Sequence, residues 1–223
     1  MPGVALVWDD TGNKKYETGT KKGVLFVMGD NGTYNEGVAW NGLTAVTEQD
    51  GGAEETALWA DDIKYASLRS MEEFGATIEA YQCPPEFYAC DGSASITDGV
   101  FIDQQGRKSF AFSYVTTIGN DVNGTDYGYK IHLVYGCTAS PSERAYQTIN
   151  DSPDAITLSW EVTTTPVPVT GYKPTSHLSI DSTMFTTEAA KAKLKAFEDI
   201  LWGSTEANSR LPLPDEVKTL LAA

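Results

Sequence analysis

Residues 154–169 read DAITLSWEVTTTPVPV, and this stretch decides the predicted fold. Its apolar residues alternate with polar ones, which indicates a strand with one buried and one solvent-exposed face. Two prolines follow and remove the backbone donors that a longer ladder would need. The stretch therefore predicts one strand of an antiparallel sheet. Its inner face would carry four core residues: Ile156, Leu158, Trp160 and Val162.

The same alternation recurs upstream of this stretch. One apolar face is predicted in each of three further segments: Phe74, Ala76, Ile78 and Ala80, then Phe110, Phe112 and Tyr114, then Ile131, Leu133 and Tyr135. Glycine is frequent, with 20 residues among 223, and favours turns between such strands. The sequence predicts a mainly β domain.

One amphipathic helix is predicted near the C-terminus, over residues 187–202. Thr186 or Thr187 can accept a hydrogen bond at its start, and Gly203 is a natural stop. A short tail, residues 203–223, follows and includes a last helical turn after Pro214. The apolar stripe recurs at helical spacing, and the residues expected in the core are Leu194, Phe197 and Leu201.

The charge balance excludes one class of partner. The chain has 31 acidic and 16 basic residues, for a formal net charge of −15. A surface of this sign repels nucleic-acid phosphates, so tight nucleic-acid binding is not expected. The N-terminus lacks a basic start and an apolar segment, and no run approaches the ~20 apolar residues of a membrane span. We therefore expect synthesis in the cytoplasm and no membrane partner.

No constellation in the sequence predicts catalysis, a cofactor or a metal site. The three cysteines lack CxxC spacing, and His132 and His177 are far apart in sequence. Alternation with apolar neighbours places His132 on a polar strand face. The oxygen-rich loop around Asp121 fails the EF-hand pattern, because His132 stands where the last acidic ligand should be.

Four phrases, taken as a set, carry a family resemblance. They are GVAWNGLTAV (residues 37–46), EEFGATIEAY (72–81), GNDVNGTDYGYKIHLVYG (119–136) and INDSPDAITLSWEVTTTPV (149–167). Together with LPLPDEV (211–217), they resemble the major tail protein, or tail tube protein, of long-tailed, non-contractile bacteriophages of Gram-positive hosts. The resemblance runs from about residue 23 to residue 217, and none of its motifs is catalytic.

The resemblance implies a fold and a role. The expected fold is an antiparallel β-sandwich or barrel with one flanking helix and extended arms and loops. Residues 1–22 would form an N-terminal arm, and residues 23–223 a single tail-tube domain. Subunits would form hexameric rings that stack into a hollow tube in the virion tail, through which DNA passes to the host. The implied partners are the tape-measure protein, the tail terminator and the distal tail or baseplate proteins.

Contacts between stacked rings are expected in two segments, residues 1–22 and the loop 47–62. Within the loop, Trp59, Asp61 and Asp62 are the candidate contact residues. Two alternatives remain open from the residues alone. One is an immunoglobulin-like adhesion module on the virion surface, which would bind host carbohydrate through exposed tryptophans and the Asp121 loop. The other is a hydrolase with carboxylates brought together from distant positions.

Overall fold

A computed structural model describes residues 5–142, 144–149 and 154–222, and antiparallel strands dominate them. The strands are β1 (Lys15–Val27), β2 (Val38–Trp40), β3 (Leu43–Gly52), β4 (Glu55–Ala60), β5 (Ile63–Arg69), β6 (Glu72–Ala80), β7 (Ala94–Thr97), β8 (Val100–Ile102), β9 (Phe110–Asn120), β10 (Gly124–Ala139), β11 (Leu158–Thr164) and β12 (His177–Asp181). The helices are α1 (Tyr88–Asp91), α2 (Glu188–Trp202) and α3 (Pro214–Leu221). The predicted mainly β class is confirmed.

The long strand β10 organises the main sheet, because its two halves have different neighbours. Residues 130–134 pair with β12, whereas residues 137–139 pair with β11. Gly136 lies between the halves with φ of 62°, a conformation that favours glycine. The full order is β2-β1-β9-β10-β11-β6-β3, with β12 beside β10. Because β10 changes partner at Gly136, the sheet continues to β12 along one half of this strand and to β11 along the other.

The two ends of this sheet face each other across one core. Trp40 of β2 and Trp160 of β11 have ring centroids 5.4 Å apart, although they lie on different sides of β10 in the strand order. Phe87 fills the same space, 5.2 Å from Trp160 and 4.6 Å from Trp40. The strands β2-β1-β9-β10 therefore form one layer, and β11-β6-β3 form the other.

Residues 154–169 supply part of this core, with one exception. Trp160 and Val162 are buried, as the alternation predicted, and Leu158 is half-buried against the same cluster. The expectation for Ile156 is wrong, since this side chain is 41% exposed. The reason is that β11 begins only at Leu158, opposite Ala80, the last residue of β6. Ile156 lies beyond the end of its partner strand.

Helices cover the other face of β1, β9 and β10. The side chain of Thr187 accepts a hydrogen bond from the backbone N–H of Ala190 at 3.1 Å, so α2 begins where expected. Leu194, Phe197 and Leu201 are buried against the sheet, as predicted. Two helices flank the sheet instead of one, because α3 also packs here. None of the helices in the described part of the chain combines the length and apolar composition that a membrane crossing requires.

The N-terminal segment is more ordered than an arm. Residues 15–22 belong to β1 and pair with β9, from Lys15 opposite Asn120 onward. The division expected between residues 22 and 23 therefore falls inside a strand. Burial changes near this point, since residues 15–22 are mostly exposed and residues 23–27 are buried. Only residues 5–14 of the described N-terminal residues precede the strand.

Candidate functional site

A two-stranded hairpin, β4 and β5, projects from the layered domain. We call residues 55–69 the hairpin arm. Its strands pair only with each other, and Asp61 and Asp62 form the two-residue turn between them. Both aspartates have positive φ, 51° and 60°, as a two-residue hairpin turn requires. The segment 47–62, expected as a loop, is therefore the end of β3, the whole of β4 and this turn.

The hairpin arm exposes large apolar side chains. Trp59 is 70% exposed and Tyr65 is 72% exposed. An isolated two-stranded hairpin is marginally stable in water, and apolar patches of this kind mark interaction surfaces. The predicted contact residues Trp59, Asp61 and Asp62 lie in the outer part of this exposed surface. The other exposed apolar residues in and beside it are Leu58, Ile63, Leu68 and Met71.

The segment that carries the hairpin arm is strongly acidic. Residues 43–80 contain nine of the 31 acidic residues and only two of the 16 basic ones. Lys64 and Arg69, the two bases, both lie beside Glu55 within the arm. The remaining acids leave the surface of β3, β6 and the arm negative, so this surface repels phosphate groups.

A second candidate region lies where β3, β10 and β12 meet. The histidine cluster, as we call it, consists of Glu48 on β3, His132 on β10 and His177 on β12. Sequence analysis missed it. The pairing of β10 with β12 sets Val134 opposite His177, so the two histidines are diagonal neighbours on one face. Instead of reaching solvent on a polar face, His132 is only 6% exposed.

The three side chains bring one nitrogen or oxygen atom each to within 4.8 Å of one another. His132 Nδ1 and His177 Nε2 are 3.1 Å apart. Glu48 Oε1 lies 3.3 Å from His132 Nδ1 and 3.6 Å from His177 Nε2. The hydroxyl of Tyr114 donates a hydrogen bond to the same carboxylate oxygen. Histidine nitrogen and glutamate oxygen are ligand atoms that bind zinc and related metal ions in proteins.

Neighbouring side chains hold the cluster in place. The ring of Tyr114 lies 4.5 Å from that of His132, and the ring of Phe74 lies 4.8 Å from that of His177. On the far side of His132, Nε2 is 3.0 Å from the hydroxyl of Thr116 and 3.5 Å from a carboxylate oxygen of Glu17. Both histidines are therefore fixed in orientation by groups that lie outside the cluster.

Burial keeps both histidines neutral. It lowers the pKa of His132 more than the carboxylates of Glu48 and Glu17 raise it. Burial also lowers the pKa of His177, against the opposing effect of Glu48 and Asp50. A neutral imidazole has a lone pair available on one ring nitrogen. At neutral pH the cluster therefore offers two uncharged imidazoles beside the side chain of Glu48.

Other residues considered in the sequence have structural roles. The carboxylate of Asp121 accepts hydrogen bonds from the backbone N–H of Gly12 at 3.0 and 3.2 Å, so it closes a turn against the N-terminal segment. The three cysteines are free thiols. Burial raises the pKa of Cys83 to about 11 and that of Cys90 to about 12, which makes these thiols poor nucleophiles at neutral pH.

Comparison with known proteins returned no match, either to a protein-family model or to a curated protein.

Proposed function

We propose that this chain is a structural subunit that assembles into stacked hexameric rings, forming the tail tube of a long-tailed, non-contractile bacteriophage. The observation that carries the proposal is the hairpin arm, which exposes Trp59 and Tyr65 and which no layer of the described residues covers. Such a surface costs free energy in an isolated chain and is stabilised when a neighbouring subunit covers it. The resemblance to tail tube proteins supplies the form of the assembly.

Strand edges give a second line of support. The main sheet ends at β3 on one side and at β2 on the other, and β12 is a further edge. Unpaired edges favour pairing with another chain. In a ring, one of these edges would pair with an edge of the next subunit, so ring closure would cover two edges of every subunit. The layered β domain would then be the tail-tube type of sandwich, with the arm reaching toward a neighbouring subunit.

The acidic balance suits a channel for DNA. Six chains of net charge −15 would bring about −90 charges to each ring. Where these charges face the bore, phosphates are repelled, and DNA would pass without binding. The tape-measure protein would occupy the bore before ejection. The tail terminator and the distal tail or baseplate proteins would cap the ends of the tube in the virion.

Electron microscopy of the purified full chain tests the proposal. At high protein concentration, negative-stain images should show rings or hollow tubes of uniform width. The double variant Trp59→Ser, Tyr65→Ser should remain folded and form no tubes, because it removes the two most exposed aromatic side chains of the arm. Tyr172→Ser is the matched control, since Tyr172 is also 72% exposed but lies beside Lys218 of α3. This control should assemble normally.

Two results would contradict the proposal. Small monodisperse particles that persist at high concentration, even with added tape-measure protein, would exclude a tube-forming subunit. Tubes formed equally well by the double arm variant would exclude the arm as the contact surface. The first result would favour the carbohydrate-binding alternative, because an exposed tryptophan such as Trp59 can stack on a sugar ring. Loss of glycan binding in Trp59→Ser would then identify that function.

A further inference from the structure

The histidine cluster has the composition of a metal site, and the proposed tube assembly does not involve it. We infer that Glu48, His132 and His177 bind one Zn²⁺ ion. The inference is independent of the proposed function, because it depends only on the geometry within one chain. It also differs from the prediction made from the sequence, in which no pattern indicated a metal site.

The distances between the ligand atoms fit zinc without rearrangement of the backbone. Zinc lies about 2.0–2.1 Å from histidine nitrogen and from carboxylate oxygen, usually in a tetrahedron. Two ligands of such a tetrahedron are therefore about 3.3 Å apart. The three separations in the cluster are 3.1, 3.3 and 3.6 Å. A set of two histidines and one glutamate leaves the fourth position open to water, as in several zinc sites.

The surrounding groups prepare His132 to be a ligand. Its Nε2 faces the hydroxyl of Thr116 and the carboxylate of Glu17. A proton on Nε2 can be donated to these oxygens, which leaves the lone pair on Nδ1, the atom that faces Glu48. A zinc-bound histidine commonly donates its other N–H to a carboxylate or similar acceptor in this way. Thr116 and Glu17 together thus favour the tautomer that zinc binding requires.

Charges around the site also favour a cation. The unfavourable neighbour is the ammonium group of Lys130, and it is paired with Glu17. A cleft beside His177 is lined by three acidic residues and provides a route of entry for a cation. They are Asp50, Glu72 and Glu73.

The topology gives the site a structural role. Glu48 lies on β3, at one end of the strand order, whereas His177 lies on the edge strand β12. Within the described residues, β3 pairs with β6 and β12 pairs with β10, so these two strands are not hydrogen-bonded to each other. A zinc ion would link β3 to β10 and β12. Since β3 leads directly into the hairpin arm, the ion would fix the base of the arm to the domain.

Zinc titration of the full, untagged chain tests the inference. The protein is stripped with a chelator and dialysed, then titrated with Zn²⁺ alone by calorimetry, and the bound metal is counted by elemental analysis. We expect one Zn²⁺ per chain. Zinc at a hundredfold excess over its dissociation constant should raise the ratio of folded to unfolded protein about a hundredfold. Thermal unfolding with and without zinc measures this increase.

Two variants of the more exposed ligands keep the test independent of folding. Glu48→Gln retains an oxygen that can accept the hydrogen bond of Tyr114, and His177→Gln changes a half-buried residue. Each should weaken zinc binding by more than about a hundredfold, the upper limit of what loss of a supporting residue costs. Glu161→Gln, at an exposed glutamate on β11, is the matched control and should bind zinc as the parent does.

The inference is wrong if the folded parent chain binds no zinc, since the cluster would then be a hydrogen-bonded group only. It is also wrong if Glu48→Gln and His177→Gln still bind one zinc ion with the affinity of the parent.

Discussion

Two tryptophans mark the two kinds of surface in this molecule. Trp160 lies on β11 and is 1% exposed, with the rings of Trp40 and Phe87 packed against it. Trp59 lies on β4 and is 70% exposed. Both strands are paired on at least one edge, so backbone hydrogen bonding does not distinguish them. The difference is a second layer, which covers β11 and does not cover the hairpin arm.

This difference locates the stability of the chain. Burial of apolar area provides the main favourable free energy of folding, so the layers around Trp160 should unfold together. The hairpin arm contributes little buried area and should open at much lower free energy than the domain. A protein built in this way keeps a stable domain while it presents an apolar surface to a neighbour. Substitutions in matched pairs can test whether the two regions behave so differently.

The largest effect is expected from Trp160→Ala. Removal of a large, fully buried aromatic side chain loses its transfer free energy and leaves a cavity. We expect the free energy of unfolding to fall by about 3–5 kcal/mol. Urea denaturation followed by circular dichroism measures the change, at a protein concentration where the chain does not assemble.

Ile156→Ala is the control within the same stretch of sequence. Ile156 shares the alternating pattern of Trp160 but is 41% exposed, so its truncation should change the free energy of unfolding by less than about 1 kcal/mol. An equal loss from both substitutions would mean that β11 extends beyond Leu158 and that the core is larger than described.

A pair of glycines gives the next largest effect. Gly136 in β10 and Gly52 at the base of the arm both have positive φ, 62° and 75°. A Cβ atom at either position would collide with a backbone carbonyl oxygen, of Thr165 or of Met71. Gly136→Ala should lower the free energy of unfolding by about 2 kcal/mol or more, from the left-handed conformation and from the collision. The collision occurs where β10 changes partner, inside the layered domain.

Gly52→Ala introduces the same kind of strain, but it should lower the free energy of unfolding of the domain by less than Gly136→Ala does. The junction between Gly52 and the hairpin arm can shift without uncovering the core, so we expect a loss below about 1 kcal/mol. Denaturation curves of the two variants, measured side by side, decide the point. A larger loss for Gly52→Ala than for Gly136→Ala would show that the base of the arm is part of the cooperative unit.

Much of the fold could be predicted because strands and helices have local signals. The alternation of Trp160 and Val162 and the cap at Thr187 each depend on residues close together in sequence. The error at Ile156 has a different origin. Whether it is covered depends on where β6 ends, at Ala80, about 75 residues away in sequence. Alternation predicts a face, but the partner strand determines how far that face is buried.

The histidine cluster lay beyond sequence reasoning for the same physical reason. His132 and His177 are 45 positions apart, and only the register of β10 with β12 makes them diagonal neighbours. Glu48 arrives from a third strand. Register follows from the packing of the whole sheet, so a single sequence gives no spacing rule for such a set. The signal in the sequence is the run of apolar residues around His132. Alternation within that run predicts a solvent-exposed side chain, whereas His132 is buried.

The smallest effect is expected from Trp59→Ala, the same substitution as in Trp160 made on the hairpin arm. Trp59 is already in contact with solvent over most of its surface, so truncation removes little buried area and leaves no cavity. The free energy of unfolding should change by less than about 0.5 kcal/mol, as for other surface substitutions. The measurement is the same urea denaturation, with dilute protein. A loss approaching that of Trp160→Ala would require the arm to pack on its own domain in solution, and the surface proposed for a neighbouring subunit would then be covered already.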